Sequence, residues 1–467
     1  MSSSTPSSRD IIYYAVSLVG VAVAVILLSW FLGIMWYTIF LIHIAITIAV
    51  WGVYIVLCIY CVYLAYRVVG YLRSKPVPGV PGKRYILPAI IICAAVITPF
   101  IVLKAPSWIE YDMKPHLSFT GDPARSMTLT WYSTSSYAGR ATYGTNPALL
   151  TFSIQEMAAG KAHELTLAPL APGTRYYYKI DGFSETWSFN TANETANKVR
   201  FVALSDIHSM FYPPMTPAIT ASDPDFMLAV GDLTDYGGAN SDWRNFFDLV
   251  APIATNYSMM TAIGNHDSMF FGDQNYLKYL TMPRASTGSE KYYNFTYNGV
   301  HFICLDLEWG LESYDAAQKA WFLSTLAGLR AAGPTDWIVV YDHCMHVSSG
   351  GFGNATGDIF KLYGTAGNVI AEFHQTFVDY GVNLVISGHD HHFEVSSVDG
   401  VVYTIVGTAN TRLDSASPVN NTCSIYYEPG YSGFTEIAID GNACSISGRM
   451  YGAGNTPLSP FVYTFSK

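Results

Sequence analysis

The sequence predicts a multidomain chain: N-terminal transmembrane α-helices, then a small β-sandwich, then an α/β domain of β-sheets flanked by helices. Three observations predict it. Uncharged runs are confined to roughly the first hundred residues, a strand-rich stretch follows, and beyond it apolar strands alternate with helical segments. At 467 residues the chain is too long for one compact domain. Hydrophobic residues make up 50% of it and charged residues 13%, which is too apolar for an ordinary soluble enzyme and suggests membrane segments diluting a globular part.

The membrane region is expected over 1–105. From Ile11 to Tyr66 there is no Asp, Glu, Lys or Arg, and a helix rising about 1.5 Å per residue crosses a bilayer in roughly 20 residues. That run therefore reads as two spans, 11–33 and 37–66, with a turn at Gly33 among Trp30, Trp36 and Tyr37. A third uncharged run, 85–103, holds Pro88 and Pro99, which a membrane helix tolerates best near its ends. The intervening loop carries Arg67, Arg73, Lys75, Lys83 and Arg84 without an acid, which places it and the N-terminus in the cytoplasm. The expectation is a multi-pass protein of the cell membrane, with the lipid bilayer as a partner and everything after Lys104 extracytoplasmic. A cleaved signal peptide would need a basic n-region and a small-residue cleavage site, and neither is evident.

Residues 113–192 alternate with period two, as in Ser126 to Tyr132 and Arg175 to Ile180, between Gly, Pro and Asn turns, so a small β-sandwich is expected. Leu170, Pro172, Gly173 and Tyr176 have the spacing of a tyrosine corner. The domain serves either as a spacer or as one wall of a site. After the polar joint Asn190 to Lys198, residues 197–467 take on α/β texture, with helices over Ala316 to Arg330 and Ala366 to Tyr380.

In such folds ligands gather at the carboxyl ends of strands. The run Phe201 to Leu204 delivers Ser205-Asp206-Ile207-His208, Met227 to Val230 delivers Gly231-Asp232, and Met260 to Ile263 delivers Gly264-Asn265-His266-Asp267. Trp337 to Tyr341 leads to Asp342-His343, and Asn383 to Ser387 leads to Gly388-His389-Asp390-His391-His392. Any one of these is an ordinary turn or a satisfied polar group. Five together supply the mixed carboxylate and imidazole ligands that a pair of divalent metals requires.

The net charge of −10, with no clustered Lys and Arg beyond residue 105, argues against nucleic-acid binding. Of seven cysteines, Cys58, Cys61 and Cys93 fall in the expected spans, and Cys304 and Cys344 read as core thiols. Cys423 and Cys444 flank a late turn-rich segment and form a candidate disulfide in an oxidising exterior. Asn193, Asn256, Asn294, Asn354 and Asn420 begin N-x-S/T triplets, which suit an exported surface but are frequent by chance.

The ordered blocks D-x-H, G-D, G-N-H-D, H and G-H-x-H resemble the calcineurin-like metallophosphoesterase superfamily, a four-layer α/β sandwich. The preceding domain, with Trp131, Tyr143-Gly144 and Pro172-Gly173-Thr174-Arg175-Tyr176, looks like the N-terminal fibronectin-type domain of purple acid phosphatases. The resemblance covers about residues 113 to 450. It implies two divalent metals (Mn, Zn or Fe), one held by Asp206, His208, Asp232 and His391 and the other by Asp232, Asn265, His343 and His389. Either His343 or His346 fits the fourth block. The family's Ser-Ser-Gly after the ligand, here Ser348-Ser349-Gly350, selects His343 and leaves His346, with His392 and Asp235, as candidate lining of the substrate pocket. Asp235 also stands where purple acid phosphatases carry the iron-binding tyrosine, so no coloured Fe(III) centre is expected.

Two such dications would polarise a phosphoryl group, bring the pKa of bound water to about 7 and stabilise the attacking and leaving oxygens. The resemblance then implies that His266 protonates or stabilises the leaving oxygen, with Asp267 orienting its ring. No arginine follows Asp235, which disfavours the protein phosphatase branch. The expected function is hydrolysis of phosphate esters outside the cytoplasm, by a phosphomonoesterase rather than a phosphodiesterase. The rival of another class is a surface receptor or adhesion protein on a dead phosphatase scaffold.

Overall fold

The computed structural model describes residues 109–194, 198–211, 215–333, 335–350, 364–414 and 422–467, with backbone alone over 364–368. Seven strands come first: β1 (Met113–Ser118), β2 (Met127–Tyr137), β3 (Arg140–Gly144), β4 (Phe152–Gln155), β5 (Gly160–Leu167), β6 (Arg175–Ile180) and β7 (Trp187–Asn190). They pair as a three-stranded sheet β1-β2-β5 and a four-stranded sheet β4-β3-β6-β7. Alternation decides which side is buried: in β6 Tyr176, Tyr178 and Ile180 face inward while Arg175 and Lys179 face out. The tyrosine corner forms as expected, the Ala171 amide donating to the Tyr176 hydroxyl at 3.0 Å.

The α/β domain continues with β8 (Lys198–Leu204), α1 (Met215–Ser222), β9 (Phe226–Val230), α2 (Asn240–Ala254), β10 (Ser258–Ala262), α3 (Asn265–Ser268), α4 (Asp273–Tyr279), β11 (Tyr293–Tyr297), β12 (Val300–Cys304) and α5 (Ala316–Ala332). It ends with β13 (Trp337–Tyr341), α6 (Gly364–Asp379), β14 (Leu384–Ser387), β15 (His392–Val398), β16 (Val401–Val406), β17 (Ser424–Pro429), β18 (Ser432–Asp440), β19 (Ala443–Gly452), β20 (Thr456–Pro457) and β21 (Val462–Ser466). One sheet runs β10-β9-β8-β18-β19-β20, with β21 also on β19; the other runs β11-β12-β13-β14-β16-β15-β17. β8, β9 and β10 are mutually parallel, as are β12, β13, β14 and β16. The two helices expected from the sequence are α5 and α6. Asp315 starts α5 by accepting from the Gln318 amide at 2.7 Å, a cap that satisfies one of the first-turn donors.

The two large sheets meet across an aromatic core. Phe201 of β8 stacks on Phe226 of β9 with ring centres 5.3 Å apart, and Phe302 of β12 meets Phe201 edge-on at 5.3 Å. All three rings are fully buried, each contributing roughly 1.5–3 kcal/mol of burial. The sandwich joins this core: Phe119 packs on Phe226 at 5.8 Å, and the Tyr178 hydroxyl donates to the Thr255 carbonyl at 2.7 Å. These contacts, with that of His116 on Phe247 of α2, brace the sheet from the sandwich side.

Two expectations are corrected. Among the described residues the chain is a mostly β-sheet α/β fold behind a sandwich, and no helix is long and apolar enough to cross a membrane. The longest of the described helices, α5, has 17 residues with Gln318, Lys319 and Arg330 along it, where a span needs roughly 20 apolar ones. The spans expected at 11–33, 37–66 and 85–103 lie outside the described residues. The bridge between Cys423 and Cys444 is not formed. Cys444 is a buried thiol in β19, opposite Ile439 of β18, while Cys423 lies just before β17 in the other large sheet. Cys304 and Cys344 are buried thiols, as expected.

Candidate metal centre

Each ligand-bearing loop begins where a parallel strand ends. β8, β9 and β10 release Asp206, Asp232 and Asn265 from one sheet, and β13 and β14 release His343 and His389 from the other. The loops then lock onto one another: the Asp206 amide donates to the Gly231 carbonyl at 3.1 Å, and the Gly388 amide to the His343 carbonyl at 3.1 Å. Asp206, His208, Asp232 and His389 all take left-handed backbone conformations, with φ of 51°, 48°, 50° and 68°. Such conformations cost roughly 1–3 kcal/mol each in non-glycine residues and persist where a site needs them.

The side chains converge on the Asp232 carboxylate. His343 Nε2 lies 3.4 Å from Asp232 Oδ1, and His208 Nε2 lies 3.8 Å from Asp232 Oδ2. On one flank His391 Nε2 is 3.2 Å from Asp206 Oδ1. On the other, Asn265 Oδ1 is 3.1 Å from His343 Nε2 and 2.9 Å from His389 Nδ1, and those two ring nitrogens are 3.2 Å apart. His343 Nδ1 is 3.0 Å from the Val230 carbonyl, a partner that fixes the ring and turns Nε2 inward. The trios Asp206, His208, His391 and Asp206, Asp232, His343 each satisfy the spacing of a cation site. Asp232 serves both flanks.

Electrostatics at the centre suit cations. Burial opposes the charged form of Asp232, but His343 and His266 outweigh it and hold the carboxyl well below its ordinary range. His343 is buried too, yet Asp232 keeps its ring protonated up to about 10, whereas burial and the neighbouring His343 depress His389 to about 3. Asp206 Oδ1 and both ring nitrogens of His208 are buried with no hydrogen-bond partner. Buried carboxylate and imidazole atoms left without partners in this way fit metal coordination, and the mixed oxygen and nitrogen donor set fits Mn, Zn or Fe. Bound there, two dications would supply Lewis acidity and an activated water.

His266 stands beside the cluster, its Nδ1 donating to the Asp235 carbonyl at 2.8 Å and its Nε2 3.9 Å from Asp232 Oδ2. With His208 and Asp232 it also satisfies the spacing of a cation site, so distance alone does not separate it from the ligands. Asp267 departs from expectation. It does not orient the ring of His266; instead its carboxylate accepts from the amides of Leu233, Thr234 and Gly264 at 3.2, 2.9 and 3.0 Å and from the Thr234 hydroxyl at 3.0 Å. The tight turn of α3 points Asp267 back at the β9 loop, which it ties to the β10 loop. Burial and the nearby Asp232 push its carboxyl up to about 7.

Of the candidate pocket residues, only Asp235 borders the cluster, with Oδ1 3.6 Å from His208 Nδ1 and 3.7 Å from His266 Nδ1. His346 is buried against Phe373 and Phe377, its Nε2 2.9 Å from Asp342 Oδ2. His392 is also buried, between Asp414 and Glu394 at 3.0 Å each. Both are therefore engaged in packing and polar bracing. Sequence reasoning missed Arg412, whose guanidinium meets the Asp235 carboxylate with Nη2 donating to Oδ2 at 2.8 Å and Nη1 2.7 Å from Oδ1. It also missed Trp309, whose ring sits 5.8 Å from that of His389. Neither lies in a motif; an isolated Arg in a loop after an apolar strand was the only signal.

A carboxylate shared by imidazoles from two facing sheets, beside a second carboxylate–imidazole pair, is a donor set suited to a pair of divalent cations. Residues 199–393 match the family model described as calcineurin-like phosphoesterase, and residues 113–195 match that of the purple acid phosphatase N-terminal domain. The two stretches are thus similar to these two families, one behind the other along the chain. Purple acid phosphatase 22 of Arabidopsis thaliana is 26% identical over 50% of this chain and 54% of its own length, and purple acid phosphatase 1 of Ipomoea batatas is 24% identical over 71% and 74%. The chain spans about half the length of the first curated relatives it matches. The purple acid phosphatase from yellow lupin seeds shares the fold at a TM-score of 0.62 and 19% identity, over 76% of this chain and 74% of that one. PhoD does so at 0.62 and 12%, over 77% and 91%.

Proposed function

We propose that the chain is a dinuclear-metal phosphatase that hydrolyses phosphate monoesters. The observation that carries this reading is the Asp232 carboxylate facing His208 on one side and His343 on the other. Asp206, His208, Asp232 and His391 would hold one dication and Asp232, Asn265, His343 and His389 the second. His266, its ring oriented by the Asp235 carbonyl, presents Nε2 to the leaving oxygen as the proton donor. Preference for monoesters over diesters is supported by the purple acid phosphatase N-terminal domain.

The experiment is elemental analysis of purified protein followed by assay of aryl phosphate mono- and diesters with Mn, Zn and Fe. About two metals per chain with faster monoester turnover supports the reading; absence of hydrolysis with every metal sinks it in favour of a non-catalytic surface protein. Because Asp235 occupies the position of the iron-binding tyrosine, the loaded protein should be colourless, and a strong visible band would contradict that. Action outside the cytoplasm is supported by the sequence alone, through the charge asymmetry of residues 11–104 and the N-x-S/T triplets, of which Asn193 and Asn294 are exposed.

A further inference from the structure

The loop after β16 folds back onto the loops that carry Asp206 and His391. The Ala409 amide donates to the Ser205 carbonyl at 2.9 Å, the Thr408 hydroxyl and Asn410 Nδ2 donate to the Asp206 carbonyl at 3.1 and 2.5 Å, and the Asp414 amide donates to the His391 carbonyl at 3.3 Å. Between these anchors Arg412 reaches to Asp235, whose carboxylate stands beside both His208 and His266. The side chains of Arg412, Asp235, His391 and His266 are 29%, 24%, 20% and 19% exposed, whereas those of Asp206, Asp232, His208 and His343 are at most 3% exposed. The guanidinium therefore stands at the side from which a substrate must enter.

We propose that Arg412 binds the substrate phosphoryl group and makes the site selective for monoester dianions; this rests on the phosphatase reading above. The count of oxygens gives the reason. A phosphate monoester has three non-bridging oxygens and a diester two. Two dications held by these residues would take up two of them in either substrate, which would leave a third for Arg412 only in a monoester. A guanidinium suits that oxygen, since its planar N–H donors match phosphate geometry. The salt bridge with Asp235, in which Nη2 donates to Oδ2, holds the guanidinium beside His208 and His266.

The alternative is that Arg412 only pins the loop, and a binding readout separates the two. Metal-loaded full-length protein, Arg412→Ala and Arg412→Gln would be compared for metal content, for kcat/KM on an aryl monoester and a bis-aryl diester, and for calorimetric affinity for inorganic phosphate. Monoester kcat/KM is expected to fall about 30-fold or more in both variants, diester kcat/KM by about threefold or less, and phosphate Kd to rise about tenfold or more. Equal loss on both esters, or unchanged phosphate affinity, overturns the proposal. Should the Ala variant lose metal, the Gln variant decides, because it keeps most of the side chain's length and hydrogen bonding to Asp235 without the charge; an unchanged ester ratio in it is equally fatal. If the parent hydrolyses neither ester, the phosphatase reading fails by itself, and the phosphate affinities still report on Arg412.

Discussion

The ring of His266 is held by the main chain of Asp235, with Nδ1 2.8 Å from its carbonyl oxygen, and not by Asp267, the residue that follows it. Since Nδ1 is committed there, Nε2 is the nitrogen that can hand a proton to a leaving oxygen. His266→Ala should keep about two metals per chain and lose roughly 10² or more in turnover. Elemental analysis beside steady-state kinetics checks this, and metal loss in step with activity would make His266 a ligand.

Asp267 should instead behave as a structural clamp. Asp267→Asn replaces one carboxylate oxygen by an NH2 group among the amides of Leu233, Thr234 and Gly264, so at least one of those donors loses its acceptor. A stability loss of about 1–3 kcal/mol is expected in denaturant titrations, along with weaker metal retention.

Gly264 leaves no room for a side chain. A Cβ there would lie 2.2 Å from the Asp232 amide and 2.3 Å from its Oδ1, so Gly264→Ala must displace the shared carboxylate. Metal stoichiometry should fall below about one per chain, whereas a variant that still holds both metals would show that Asp232 is not the shared ligand.

Metal uptake should release a proton. Burial disfavours the charged His343 ring, but Asp232 holds it protonated up to about 10 in the metal-free site, and a dication must displace that proton. Affinity should therefore rise as pH rises towards about 10 and fall in acid. Calorimetric metal titrations in buffers of different ionisation enthalpy read the proton directly.

His116 should make the fold acid-sensitive. Its ring is buried on Phe247, and burial depresses it to about 3. Below the unfolded value near 6.5 the unfolded chain gains a proton that the native state refuses, so stability falls as pH drops from about 6.5 towards 3, by about 2 kcal/mol at pH 5. His116→Phe should flatten that limb in thermal melts at pH 5 and 7; an unchanged slope would place the sensitivity elsewhere.

The sequence by itself determined the strands, the order of the motifs and the types of ligand. A run such as Phe201 to Leu204 followed by Asp206 and His208 is a property of consecutive residues, and alternation in β6 likewise needs only local periodicity. It could not settle what distant residues do. Arg412 meets Asp235 across 177 positions of chain, His346 turns to Asp342 and the aromatic core, and Cys444 enters a different sheet from the one Cys423 precedes. Those outcomes depend on how two sheets register against each other, where burial and hydrogen-bond satisfaction decide between positions that the local pattern leaves equivalent.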